Sequence, residues 1–222
     1  MKKVLITGGA TGIGKATAIA FARKGYDVYI TYHKTAPDYD GVTAIKCDLS
    51  DVDEIKGLFE NFSSLDILVN NAGVSLIKMI NDVTPEDYND LMCVNSRAVY
   101  FCSKYAAELM LKKHSGAIIN VSSIWGEVGA SCETLYSMSK AGVIGFTKAL
   151  AQELAPSGIT VNCVSPGIID TRMNAAFSKE ELEDEVPLGR LGTPEEVASA
   201  IILLAENGYI TGQDISVSGG IV

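Results

Sequence analysis

Thr7-Gly8-Gly9-Ala10-Thr11-Gly12-Ile13-Gly14 follows directly on the apolar run Val4-Leu5-Ile6 and opens a helical pattern. Glycines in such a place let the backbone turn sharply and approach a pyrophosphate, which then rests on the unpaired N–H groups of a helix N-terminus. A glycine-rich turn without a ligand would have the same composition. The strand–turn–helix setting favours dinucleotide binding, and assigns Gly8, Thr11, Gly12, Ile13 and Gly14 to the cofactor.

Outward from this turn, short β-branched runs alternate with longer helical patterns. Strands are predicted at Val4–Thr7, Val28–Thr31, Thr43–Lys46, Ile67–Val69, Ala117–Val121, Thr160–Val164 and Ile215–Val217. Several are almost continuously apolar, which marks strands covered on both faces, as in a parallel sheet. A helix is predicted from Ile13 to Lys24, ending before Gly25 as a C-cap. Another opens at Thr84-Pro85-Glu86-Asp87, with Thr84 as N-cap, and is expected to run to Lys113. A long one is predicted over Tyr136–Leu154, and Thr193-Pro194-Glu195-Glu196 has the spacing of a capping box. This alternation predicts a doubly wound α/β Rossmann fold, with about seven parallel strands and helices on both faces. One connection is too short. Only His33–Val42 joins the second strand to the third, with Pro37 and Gly41 inside it, so the usual crossover helix should be missing there.

Composition narrows the function. The 222 residues, 47% hydrophobic with 21 glycines, suit one dinucleotide-binding catalytic domain spanning 1–222. Lys and Arg total 18 against 27 Asp and Glu, a net charge of -9, which repels nucleic acid and anionic lipid. Cys47, Cys93, Cys102, Cys132 and Cys163 are odd in number and lack CxxC spacing, so free thiols in a reducing compartment are expected, and no metal site. No apolar run reaches membrane-spanning length, and no cleavage pattern follows Met1-Lys2-Lys3. The sequence reads as cytoplasmic.

Tyr136-Ser137-Met138-Ser139-Lys140 places a lysine one helical turn after a tyrosine, and Ser123 lies at a strand end upstream. A free phenol titrates near ~10. A lysine ammonium ~4 Å away, at an effective dielectric of ~20, contributes about 4 kcal/mol, or roughly three pKa units, enough to make the phenol a usable proton donor. Taken alone, the pair has a bland reading: a half-buried tyrosine beside a surface lysine.

Together, these motifs resemble the short-chain dehydrogenase/reductase family over nearly the whole chain. The resemblance extends to Asp48, Asn70-Asn71-Ala72-Gly73, Asn95, Ser122-Ser123, Pro166-Gly167 and the tail from Tyr209 to Gly220. It implies hydride transfer between a nicotinamide and a carbonyl or alcohol. Tyr136 would be the acid/base and Ser123 would orient the carbonyl. Lys140 would bind the ribose and tune the tyrosine, and Asn95 would hold a relay water. Asp48 and Leu49 would meet adenine, and Asn71, Ala72 and Gly73 would pack along the cofactor. Pro166 and Gly167 would meet the cofactor, and Ile169 and Thr171 its nicotinamide carboxamide and diphosphate. At the second strand's end Thr31-Tyr32-His33-Lys34 offers no acid for the ribose hydroxyls, and His33 and Lys34 would suit a 2′-phosphate. NADP(H) is therefore favoured over NAD(H), although Thr11 stands where many NADP-dependent relatives carry a basic residue.

Two substrate readings and one reading of another class remain. The sequence resembles 3-oxoacyl-acyl-carrier-protein reductases, which dock an acidic carrier on basic residues, but here the corresponding places offer Ser157 and the nearby Lys113-His114. Ser122–Gly126 and Gly129–Glu133 resemble Firmicute reductases of 5-aminopentanone groups on elongation factor P. In that reading Trp125, Glu133 and Met173 line the substrate pocket, and Glu133 pairs with a substrate amine. From another class, the chain would be a dinucleotide-binding sensor or scaffold without turnover. The segment 173–186 should form a lid, and the resemblance implies a homotetramer or homodimer through the helices 85–113 and 136–154.

Overall fold

The β-branched runs pair side by side into one sheet in a computed structural model that describes residues 1–174 and 177–222. In chain order the elements are β1 (Lys3–Ile6), α1 (Gly12–Arg23), β2 (Asp27–Tyr32), β3 (Thr43–Lys46), α2 (Val52–Glu60), β4 (Ile67–Asn70), α3 (Pro85–Met92) and α4 (Ala98–Leu111). They continue with β5 (Gly116–Val121), α5 (Trp125–Val128), α6 (Thr134–Leu154), β6 (Ile159–Pro166), α7 (Lys179–Asp184), α8 (Pro194–Glu206) and β7 (Asp214–Val217). The seven strands are ordered β3-β2-β1-β4-β5-β6-β7 and every pairing is parallel. Strand order reverses between β1 and β4, which opens a crevice at their carboxyl ends where doubly wound sheets take ligands.

Alternate side chains of each strand enter opposite cores. Leu5 and Ile118 pack with α2, α4 and α6, beside Leu58, Cys102 and Ala151. Val4, Ile6 and Ile119 pack with α1 and α8, beside Phe21 and Ile201. Asp51 caps α2 by accepting from the N–H groups of Asp53 and Glu54. Thr84 with Asp87 and Thr193 with Glu196 form full capping boxes on α3 and α8. Each such cap contributes about 1 kcal/mol. At α1, by contrast, the N-cap residue Thr11 makes no side-chain cap bond, so the first-turn N–H groups keep their capacity to bind an anion.

No helix joins β2 to β3, as the short connection predicts, and β3 is the bare edge of the sheet. The loop has its own order. Tyr39 folds back and donates its hydroxyl to the Gly9 carbonyl at 2.6 Å, while Lys15 pairs with Asp38 at 2.7 Å. The helix expected from Pro85 to Lys113 is not uniform: Cys93–Arg97 forms a π-helical turn between α3 and α4, with Asn95 inside it. In the expected lid, 173–186, the chain makes a short turn at Arg172–Asn174 and then α7, and residues 175 and 176 lie outside the described residues. Among the described residues no helix is long and apolar enough to cross a membrane.

Candidate active site

A cavity of about 670 Å³ runs along the carboxyl ends of β1, β4, β5 and β6, from the glycine-rich turn to α6. Gly8 and Gly12 adopt φ of +64° and +55°, which a side chain would strain. A Cβ on Gly14 would lie 2.3 Å from the Gly8 carbonyl oxygen. Gly14 is therefore the close-packing glycine of the turn and lies behind the cavity, whereas Gly8, Thr11, Gly12 and Ile13 line it. Asn71 ties the turn to β4 by donating its side-chain amide to the carbonyls of Thr7 and Gly8. With bare N–H groups at α1 and no room for a Cβ, these residues fit a pyrophosphate.

Tyr136 and Lys140 lie one turn apart on the buried face of α6 and both line the cavity. The Lys140 ammonium donates to the Val121 carbonyl at 3.0 Å and stands 5.6 Å from the Tyr136 ring centroid. The Ser122 hydroxyl donates to the Lys140 carbonyl at 2.9 Å, fastening α6 to the end of β5. Ser123 accepts from the Trp125 N–H at 3.2 Å and lies close enough to the Tyr136 phenol to affect its proton affinity. One further close approach lies at Gly73: a Cβ there would come within 3.3 Å of the Lys140 ammonium and 3.4 Å of the Asn95 carbonyl oxygen. A side chain at Gly73 would crowd that corner.

The electrostatics correct the sequence argument. Burial pushes the Tyr136 phenol up to about 12; the nearby Ser123 hydroxyl pulls it down and the Glu133 charge adds to the push. Burial also pulls the Lys140 ammonium down to about 8. Burial outweighs any lysine-driven lowering of the phenol, because both groups share one desolvated corner. At neutral pH Tyr136 holds its proton, the state a donor requires.

Asn95 is fully buried and does not line the cavity. Its amide accepts from the Val74 N–H at 2.8 Å and donates to the Val74 carbonyl at 2.9 Å and to Ser139 at 3.2 Å. It thus fixes the loop after β4 against α6. A π-helical turn is a frequent mark of a functional position, but spacing alone gives no sign of it.

At the far end His33, Asp48 and Leu49 line the cavity, with His33 Nε2 3.6 Å from Asp48. Asp48 accepts from both the hydroxyl and the N–H of Ser50, which hold its carboxyl below the usual range. Lys34 is exposed and is not among the residues lining the cavity, but it lies near enough to Asp48 to add to the lowering of its carboxyl. Asn71, Ala72, Gly73, Pro166, Gly167, Ile169 and Thr171 all line the cavity, as do Trp125, Glu133 and Met173. Sequence reasoning missed Val74, Ile77, Val94, Arg172 and Phe177, which also line it. For Arg172 a signal existed, a cation immediately after Thr171 in an acidic chain.

A family model described as enoyl-(acyl carrier protein) reductase matches residues 8–222. A 3-oxoacyl-[acyl-carrier-protein] reductase of Synechocystis is 41% identical, over 98% of this chain and 96% of that protein. A 3-oxoacyl-[acyl-carrier-protein] reductase of Staphylococcus aureus is 38% identical, over 99% and 97%. A solved variant of ElxO with NADPH bound is 36% identical and superposes with a TM-score of 0.91, over 99% of this chain and 98% of that one. The chain belongs to the short-chain dehydrogenase/reductase family. It is an oxidoreductase, which sets aside binding without turnover.

Proposed function

We propose that residues 1–222 form one catalytic domain that reduces a ketone to an alcohol with NADPH. The observation that carries this reading is one cavity holding the bare N-terminus of α1 at one side and the Tyr136–Ser123–Lys140 cluster at the other. When bound, the dinucleotide would supply the hydride. The glycine-rich turn would hold its diphosphate, Asp48 and Leu49 its adenine, and His33 a 2′-phosphate. Asn71 to Gly73, Pro166, Gly167, Ile169 and Thr171 would flank the rest. Ser123 would hold the substrate oxygen, Tyr136 would give it a proton, and Lys140 would bind the ribose and return the proton to Tyr136. Asn95 would act through the loop it fixes. That ElxO has been solved with NADPH and with NADP supports the cofactor choice. Loss of reduced-nicotinamide absorbance with a ketone panel, compared between the parent and Tyr136→Phe, tests the reading; activity in the variant within a few-fold of the parent would sink it.

A carrier-bound 3-oxoacyl group is the substrate that the relatives' names support. Against it, Lys113 is engaged by Asp66 rather than free for an acidic carrier, and the net charge is -9. A second reading has an observation of its own. Glu133 lines the cavity, makes no side-chain hydrogen bond among the described residues, and has its carboxyl pushed up by burial. A substrate ammonium would relieve that cost, as an amino-ketone offers. We place the protein in the cytoplasm as a homotetramer or homodimer. Support for assembly comes from the aromatic row Tyr100, Phe101, Tyr105 and Phe146 on α4 and α6, in which Tyr100 is half exposed. Light scattering should give a multiple of the 23.6 kDa chain mass; a stable, active monomer would refute it.

A further inference from the structure

We propose that Arg172 binds the diphosphate of the dinucleotide, clamping it from the lid side against the N-terminus of α1. The proposal rests on the dinucleotide reading above and extends it to a residue that no sequence motif marks. Three observations meet here. The chain entering the lid passes over the first turn of α1: a Cβ on Gly12 would lie 3.5 Å from the Thr171 methyl. Arg172, the next residue, lines the same cavity as Gly8, Thr11 and Gly12. Its guanidinium has no ion pair and no side-chain hydrogen bond among the described residues, whereas Arg97 is bonded to Ser50 and Arg190 to Glu196.

The surrounding charges fit an anion at this spot. Lys15, on α1, is taken up by Asp38 at 2.7 Å, so it is not the free cation at the turn. Arg172 is close enough to add to the lowering of the Asp38 carboxyl, a lowering due first to Lys15. The guanidinium therefore shares the rim of the glycine-rich turn with that pair. A diphosphate on the bare N–H groups of α1 would meet a second source of positive potential from the opposite wall, and a planar guanidinium can bind two of its oxygens at once. The diphosphate is a better match than a 2′-phosphate, because Thr171, the residue before Arg172, lies against Gly12, whereas the adenosine end lies at His33 and Asp48.

The test is a fluorescence titration of the full chain with NADPH and with NADH, using the parent, Arg172→Gln and Arg172→Lys. Because the diphosphate is common to both dinucleotides, Arg172→Gln should raise both Kd values by the same factor, about ten-fold. Arg172→Lys should recover part of that loss, and the defect should shrink as salt is raised. The thermal midpoint without dinucleotide should not move, since Arg172 is exposed and makes no side-chain bond among the described residues. Loss confined to NADPH would overturn the proposal in favour of a 2′-phosphate contact. Unchanged Kd values with a raised KM for a carrier-bound ketone would overturn it in favour of a substrate contact. A parent chain that bound neither dinucleotide would instead overturn the reading beneath it, and the clamp with it.

Discussion

At the catalytic end of the cavity, Asn95, Ser123, Tyr136 and Lys140 are 0%, 7%, 7% and 4% exposed. At the adenosine end, the His33 side chain is 56% exposed, Lys34 stands in solvent, and β3 is an open edge with no helix leading into it. The same parallel sheet supplies both. The difference lies in what covers the strand ends: Ser122 fastens α6 to the end of β5 and Asn95 fastens the π-helical turn to the loop after β4, whereas a short loop follows β2. Burial at one end moves a phenol to about 12 and an ammonium to about 8. At the other end, water and salt screen whatever charge is present. Chemistry that needs displaced proton affinities is confined to the covered end, and discrimination between cofactors is left to weak, exposed contacts.

The largest effect that would break this comparison belongs to Tyr136. Tyr136→Phe should lower kcat by about a hundred- to ten-thousand-fold, the usual share of a general acid, with the Kd for NADPH nearly unchanged. With the phenol up at about 12, reduction in the parent should keep its proton donor across the neutral range, and the reverse oxidation should speed up as pH rises. Stopped-flow rates in both directions check the sign.

Lys140 gives the next effect, and it needs no turnover. Its folded value of about 8 lies below the ordinary 10.5, so the unfolded chain holds the proton more tightly. The stability cost of the charged, buried lysine is full below pH 8 and vanishes as pH rises through 10.5. Lys140→Met removes it at every pH. The stability of the variant minus that of the parent should therefore fall by about 3 kcal/mol from pH 7 to pH 10.5. Denaturant melts at the two pH values measure this, and a constant difference would mean that the corner is wet.

Glu133 sits between the extremes, lining the cavity and half-buried. Glu133→Gln should depress kcat/KM for an amino-ketone by about ten- to a hundred-fold, and hardly at all for a neutral ketone of equal length. Equal losses on both would show that the carboxylate serves its own loop.

The smallest effect falls at the adenosine end. His33→Ala should weaken NADPH by about two- to five-fold and leave NADH alone, as suits an exposed charge contact, and Lys34→Ala should do less. Calorimetry with both dinucleotides decides. A parent that binds NADH as tightly as NADPH would remove the preference altogether.

Much of this was legible because local rules carry it. Thr84, Thr193 and the glycine after α1 announce helix ends by chemistry confined to a few residues, and they lie where they were expected. The i, i+4 spacing of Tyr136 and Lys140 dictates their shared face. The π-helical turn at Cys93–Arg97 was not legible, since it depends on Asn95 bonding to Val74, twenty-one residues away. Nor was the folded-back Tyr39, which rests on one long-range bond to Gly9.

By itself, the amino-acid sequence determined the parallel sheet, the absent crossover helix and the residue types gathered at the strand ends. Periodicity, capping and glycine chemistry act over a few residues and read directly from the chain. Only the tertiary structure decided which of those residues share a wall, which proton affinities burial displaces, and that Arg172 lines the same cavity as the glycine-rich turn. Desolvation and long-range contact depend on what the other strands and helices place nearby, and no local stretch of the chain contains that information.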